Sequence, residues 1–267
     1  MRFKFITLRF ILTTNIFDRV IPKLASDSRW SISINDSAGM QKFICYIDDS
    51  GCDKIISVNG ISYMFAGNAA LIQKWKDWLL SNPNSSKDMP DMEDSNNPTQ
   101  INIAICAVNE ITHKIEIECR QVNKLPDVIS TGTGGEFALE CWKINKDPCK
   151  AVNSAIQKDP YSGGAVKFIN LLDNSHNLQN NASFIDIINL MREEGFIMYS
   201  SKQSSPIRVA EAAKNDSDVL DLVNNLASGN ANICAPYPGM DTPWSDEEKV
   251  ELKTSFDRIF STKNHIK

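Results

Sequence analysis

The chain has 267 residues and a mass of 29.8 kDa, with 42% hydrophobic and 23% charged residues, enough to bury one large domain or a domain with an extension. Its formal net charge of -5 supplies no basic face for nucleic acid. Seven scattered cysteines without a C-x-x-C pair, and three histidines (His113, His176, His265) far apart in sequence, argue against a disulfide framework or a zinc site and for a reducing cytoplasm.

The first twelve residues, MRFKFITLRFIL, are basic and apolar. Lys4 and Arg9 interrupt the apolar runs and no small-residue cleavage site follows, so no signal peptide is expected. No 18-residue apolar run occurs, and no transmembrane helix is expected. TTNIFDRVIPKLASDSRWSISI predicts two strands around a turn at Asp18-Arg19, with Pro22 in the second strand, where its missing N–H demands an edge or an irregular spot. FICYIDDSGCDKIISVNGISYMFAG adds short strands, with turn signals at 48–51 and at Asn59-Gly60. Leu71, Trp75, Trp78 and Leu79 recur at helical spacing in AALIQKWKDWLL, which predicts a helix with its tryptophans in the core.

Residues 81–99 are rich in Ser, Asn, Asp and Pro and read as a mobile surface loop. INIAICAVN and HKIEIECRQV alternate and predict a strand pair turning near Asn109-Glu110. DVISTGTGGEFALECWKI runs from strand through a glycine-rich turn to helix, CKAVNSAIQKD is a second helix, and GGAVKFINLL returns as a strand. This order indicates an α+β layered sandwich rather than a repeating βαβ fold. Past residue 173, SFIDIINLMREEG has a Ser183 cap and a Gly195 stop, and PWSDEEKVELKTSFDRIF opens with a Ser245–Glu248 capping box. The C-terminal region carries no chemically readable constellation.

Two glycine-containing stretches stand out. Residues 130–136, STGTGGE, join a strand to a helix and alone could be a phosphate-binding turn, but the G-x-x-x-x-G-K spacing and an acidic ribose partner are missing. DPYSGG, residues 159–164, puts an acid three residues before a serine and ahead of a glycine pair; alone it could be a turn.

Together with the N-terminal stretch, these motifs resemble the β-type subunits of the proteasome and the related bacterial threonine proteases, which are N-terminal-nucleophile hydrolases. Thr13-Thr14 resembles the double threonine that begins mature catalytic subunits, and Asp27-Ser28-Arg29 the acid-small-arginine ending the second strand. Lys54 falls at the family's catalytic lysine. MFAGNAALIQKW resembles the turn into the first helix, with Gly67 at the oxyanion-binding amide. GTGGEFAL places Thr133 at the family's serine position, and DPYSGGAV supplies Asp159, Ser162 and the double glycine. The resemblance spans about residues 13–170 and implies an Ntn-hydrolase fold, a four-layer αββα sandwich. It also implies a peptide or amide substrate, no cofactor and homo-oligomeric assembly. Phe65 and Ala69 flank Gly67 where the family lines its first specificity pocket, and the phenylalanine implies a shallow pocket for small side chains. The sequence identifies no ATPase partner.

The chemistry assigns each residue a role. A threonine hydroxyl needs a base, and a free α-amino group, with a reference pKa of about 7.7–8.0, can serve. Lys54 favours the neutral amine and stabilises developing negative charge, and Asp27 holds Lys54. Asp159 and Ser162 orient the amine, with Thr133 adding a hydroxyl, and the Gly67 N–H meets the oxyanion. Strand alternation favours Thr13 over Thr14, since an even change in hairpin length keeps Thr13 facing Asp27.

This requires Thr13 to be the first residue. Self-processing members carry glycine before the threonine, whereas this chain has Leu12. A leucine codon read as the start would instead give Met-Thr-Thr, from which methionine removal exposes Thr13. The expected organisation is an upstream segment over 1–12, an Ntn-hydrolase domain over 13–173 and an extension over 174–267. Two other readings stand beside the hydrolase: a catalytically silent scaffold, if residues 1–12 stay attached, and a nucleotide binder using GTGGE.

Overall fold

The computed structural model describes residues 13–98, 101–120, 123–200 and 205–263. The upstream segment expected over 1–12 lies outside the described residues. The fold is mixed α and β, with two antiparallel sheets and seven helices among the described residues.

β1 (Asn15–Asp18) and β2 (Lys23–Ser26) form the first hairpin. Asp18 Oδ1 accepts from the N–H groups of Val20 (2.8 Å) and Ile21 (3.1 Å), which extends the turn over 19–22. Pro22 therefore sits in the turn ahead of β2, not within the strand as its sequence neighbours suggest, and its carbonyl accepts from Leu171 N at 2.8 Å. β3 (Trp30–Asn35) and β4 (Gln41–Ile47) pair next. β5 (Ile55–Val58) turns into β6 (Ile61–Asn68) through Asn59 (φ 54°) and Gly60 (φ 76°), the two left-handed residues that a tight hairpin turn requires. α1 (Ala69–Leu80) starts where the Asn68 side chain accepts from Leu71 N, and it buries Leu71, Ile72, Trp75 and Leu79.

β7 (Ile103–Asn109) and β8 (Ile115–Cys119) follow, then β9 (Asn123–Leu125) and β10 (Val128–Thr131). Two helices come after, α2 (Gly135–Asn145) and α3 (Pro148–Lys158), the latter capped by Asp147 with Pro148 in its first turn. β11 (Lys167–Asn170) closes the run. The rest of the chain supplies α4 (Phe184–Glu193), β12 (Phe196–Tyr199), β13 (Ile207–Arg208), α5 (Val209–Ala212), α6 (Ser217–Ala227), β14 (Cys234–Ala235) and α7 (Asp246–Lys263).

The five-stranded sheet runs β11-β2-β1-β10-β9, and the nine-stranded one β13-β12-β4-β3-β14-β6-β7-β8 with β5 also on β6. Strand alternation divides the side chains. Ile16, Ala25 and Val128 pack with Ala138, Trp142, Ala151 and Ala155 of α2 and α3. Their neighbours Phe17, Leu24 and Ile129 meet Ile55, Met64, Cys106 and Val108 of the other sheet. Ile56, Tyr63 and Phe65 join the largest core, together with residues of α1, α4, α6 and α7.

The described residues from 174 to 263 are built into this body. β12 pairs with β4, β14 lies between β3 and β6, and Phe256 of α7 packs its ring 5.5 Å from Trp75 and 5.2 Å from Trp78. The loop after α1 is also pinned rather than free of the body: Met92 is buried, Trp75 Nε1 donates to Asp91 O (3.0 Å) and Ser86 N to Asp257 Oδ1 (3.1 Å). Its composition hides this because two or three anchors suffice to hold a polar loop.

Candidate functional site

Thr13 and Thr14 immediately precede β1, and alternation sends their hydroxyls to different partners. Thr13 Oγ1 donates to Asp27 Oδ1 at 2.6 Å, and the Lys54 ammonium donates to Thr13 Oγ1 (2.6 Å) and to Asp27 Oδ1 (2.8 Å). Asp27 also accepts from three backbone N–H groups, those of Thr14 (2.9 Å), Arg29 (3.1 Å) and Gly163 (3.2 Å). Thr13, Asp27 and Lys54 are each 0% exposed. Lys54 is brought here by the backbone, since its carbonyl accepts from Phe65 N (2.9 Å) just ahead of β5. Burial draws the Lys54 ammonium below its ordinary pKa, while the Asp27 carboxylate opposes that shift. The hydroxyl thus has its proton aimed at a carboxylate and its oxygen against an ammonium.

Thr14 serves a second chain of bonds. Its Oγ1 lies 2.7 Å from Ser162 Oγ, Ser162 donates to Asp159 Oδ2 (2.6 Å), and Tyr161 N donates to Asp159 Oδ1 (3.0 Å). Asp159 and Ser162, expected at the Thr13 amine, are therefore joined to the Thr14 hydroxyl in this arrangement. Among the described residues Thr133 makes no hydrogen bond to the cluster, and its buried Oγ1 has no partner there. The glycines around it act through close approach: a Cβ at Gly132 would overlap the Thr13 carbonyl, and one at Gly134 the Thr14 hydroxyl. The two threonines thus lie directly against this turn, and the Gly134 amide donates to the Thr13 carbonyl (3.3 Å). Gly67 (φ 117°) lies in β6 between Ile103 of β7 and Ala235 of β14. Phe65 and Ala69 sit in the main core, so in this closed arrangement neither lines an open pocket.

Burial raises the Asp159 carboxyl from its ordinary 3.8 to about 6, against the opposing bonds from Ser162 and Tyr161. A raised carboxyl favours the folded state below the unfolded pKa, and that contribution is lost as pH rises through about 6. Relative to Asp159→Asn, the wild-type protein should lose on the order of 2–3 kcal/mol of unfolding free energy between pH 4 and pH 6.5, and little beyond. Urea unfolding of both proteins across that range measures this; parallel curves would place the titration elsewhere.

Of the residues that hold these loops, the sequence reading singled out Ser28 and Arg29 only as motif positions without partners, and it missed Asp48 and Asp49. Arg29 grips Asp48 through two bonds of 2.8 Å, donates to Pro160 O (2.6 Å) and stacks its guanidinium 3.7 Å from the Tyr46 ring. Asp49 accepts from Ser28 Oγ (2.7 Å) and Ala165 N (2.9 Å). Together these tie DPYSGG to the start of β3. For the two acids the signal was their adjacency at 48–49, which also fits an ordinary turn. Among the described residues no group of three or more His, Cys, Asp or Glu could hold a metal ion, and no helix is long and apolar enough to cross a membrane.

No protein-family model matches the sequence, and no curated protein does. Among solved structures, the chain is similar to BPH from Thiobacillus denitrificans in complex with epoxomicin, at 14% identity and a TM-score of 0.39 over 59% of this chain and 97% of that one. It is similar to the same organism's BPH in a second structure, at 13% identity, 60% and 96% coverage and a TM-score of 0.39. It is also similar to eukaryotic HslV from Trypanosoma brucei, at 15% identity, 58% and 97% coverage and a TM-score of 0.34.

Proposed function

We propose that the chain, with Thr13 as its first residue, is a threonine-type N-terminal-nucleophile hydrolase of the proteasome-like kind that cleaves peptide or amide bonds. The observation that carries this is Thr13 Oγ1, held 2.6 Å from both Lys54 Nζ and Asp27 Oδ1 in a fully buried cluster. The motif series of residues 13–170 supports the same reading, and with it a four-layer αββα sandwich, a cytoplasmic location and homo-oligomeric assembly. The packing of α2 and α3 on one sheet, the sheet-to-sheet core and the helices beyond the other sheet fit that layering.

In the proposed reaction the free Thr13 amine takes the Oγ1 proton and Oγ1 attacks the substrate carbonyl carbon. Lys54, lowered by burial, stands at relay distance for that proton and faces the developing negative charge. The protonated amine then passes its proton to the leaving nitrogen, giving an ester on Thr13 and a free amine product. Water, deprotonated by the same amine, hydrolyses the ester and returns the hydroxyl. Asp27 holds Lys54, and Asp159 with Ser162 fixes the Thr14 side of the N-terminal turn.

The complete burial of Thr13, Lys54 and Asp27 favours a second reading, a silent member of the same fold that binds or scaffolds. Intact mass and N-terminal sequence of protein expressed from its native gene with its upstream region decide between them. A chain starting at Thr13 has the required amine. A chain keeping residues 1–12 has it blocked, and the hydrolase reading then falls.

A further inference from the structure

Beside β6, on the edge that faces β3, two segments follow one another in a single lane. β5 pairs with Ile61–Met64, and Phe65 N bonds to Lys54 O. Then Ala235 lies opposite Gly67, Cys234 opposite Asn68, and Ala69 N bonds to Ile233 O at 2.9 Å. On the other side Cys234 lies opposite Ser31 of β3, next to Trp30, whose ring is 5.7 Å from Lys54 Nζ. The lane is one strand wide and antiparallel to both walls. Along it, Ala235 stands two residues from Lys54, about 7 Å at the usual strand rise.

The segment in this lane is unlike the other interior strands. β14 is two residues long and comes from the connection between α6 and α7, more than 160 residues after β6 in the chain. Downstream it is tied: the Tyr237 hydroxyl donates to Asn102 Oδ1 (2.7 Å), Asn102 Nδ2 donates to Met240 O, and Arg120 donates to Gly239 O (3.1 Å) and Pro243 O (2.6 Å). Upstream, residues 228–230 are exposed, and Gly229 (φ 73°) has no atom near its Cβ position. The ladder bonds of the lane are main-chain bonds, which any extended peptide can make, and one side-chain bond, from Asn68 Nδ2 to Asn232 Oδ1 (2.6 Å), adds to them at the upstream end. Ile233 and Ala235 are buried, so opening gives up their packing, but the strand itself is only two residues long and the chain is exposed from 228 to 230.

We propose that Ile233–Ala235 is a removable internal strand that fills the place of an extended peptide beside the Thr13–Lys54–Asp27 cluster, so that the C-terminal segment closes the site until it is displaced. This rests on the hydrolase reading for its consequence, though the lane itself is independent of it.

The test uses the chain beginning at Thr13, with residues 228–230 replaced by the site of a sequence-specific protease, so that the strand is cut free only after folding. Exchange of the Ala69 amide reads release, and an acetyl-trialanyl vinyl sulfone reads access through its covalent labelling of Thr13. Cutting should raise both rates tenfold or more. Unchanged Ala69 exchange after cutting overturns the proposal, as does released exchange with equal labelling of cut and intact chains. A cut chain that is never labelled, yet binds a fluorescent trialanyl peptide and regains Ala69 protection, keeps the internal strand and removes the hydrolase reading. A released chain with neither labelling nor binding overturns both.

Discussion

Thr13→Ala, in protein whose chain begins at residue 13, is expected to lower amide hydrolysis by about a thousandfold or more while leaving the fold in place. The substitution removes the one hydroxyl between Lys54 and Asp27, but those two remain paired at 2.8 Å and Asp27 keeps its three backbone donors. Losing the Thr13 hydrogen bonds costs roughly 1 kcal/mol, or about 2–4 °C in Tm for a chain of this size. Thr13→Ser restores a hydroxyl in the same place and should recover much of the rate. Turnover of a fluorogenic peptide amide, with a melting curve on each variant, separates the two effects. Undiminished turnover by Thr13→Ala would move the nucleophile elsewhere and end the threonine mechanism.

Lys54→Met is expected to have the largest effect on stability. Lys54 and Asp27 are both 0% exposed at the side chain and lie 2.8 Å apart. Removing the ammonium strands the Asp27 carboxylate in the interior, at a cost of about 3–5 kcal/mol. That is about 10 °C or more in Tm. The double change Lys54→Met with Asp27→Asn removes the stranded charge and should recover a large part of the loss, because replacing a buried pair costs far less than breaking it. Activity should stay absent in both, since neither variant has a cation beside Thr13 Oγ1. Thermal and urea unfolding of the three proteins gives the answer; a single variant as stable as the wild type would mean that the buried pair does not hold the fold together.

Much of this arrangement is legible along the chain because it depends on short-range periodicity. The helical spacing of Leu71, Trp75 and Leu79 marks α1, whose bounds run from Ala69 to Leu80. The Ser245–Glu248 capping box marks the start of α7, and both bonds are present. The alternation of a strand puts Thr13 and Thr14 on different partners, and across the first hairpin the structure has Thr13 with Asp27. Each of these needs only residues within a turn, a hairpin or a repeat period of one another.

What remained hidden depends on contacts between segments far apart. The reading of Pro22 as a strand residue failed because one side-chain oxygen, Asp18 Oδ1, captured two turn amides and lengthened the loop. The salt bridge of Arg29 to Asp48 and the grip of Asp49 on Ser28 and Ala165 have no periodic signature. The polar loop after α1 gave no sign that α7 would meet it at Asp257.

The sequence by itself determined the order of the longer strands and of the first three helices up to residue 170, the helices at Ser183 and Ser245, and the residue types at the Thr13 cluster, because local dihedral preference and burial period are written residue by residue. Tertiary structure alone decided that Ile233–Ala235 lies beside Lys54 and Gly67. A two-residue strand is too short to carry a period of its own, and its place is set by which backbone groups of β3 and β6 were left to be paired.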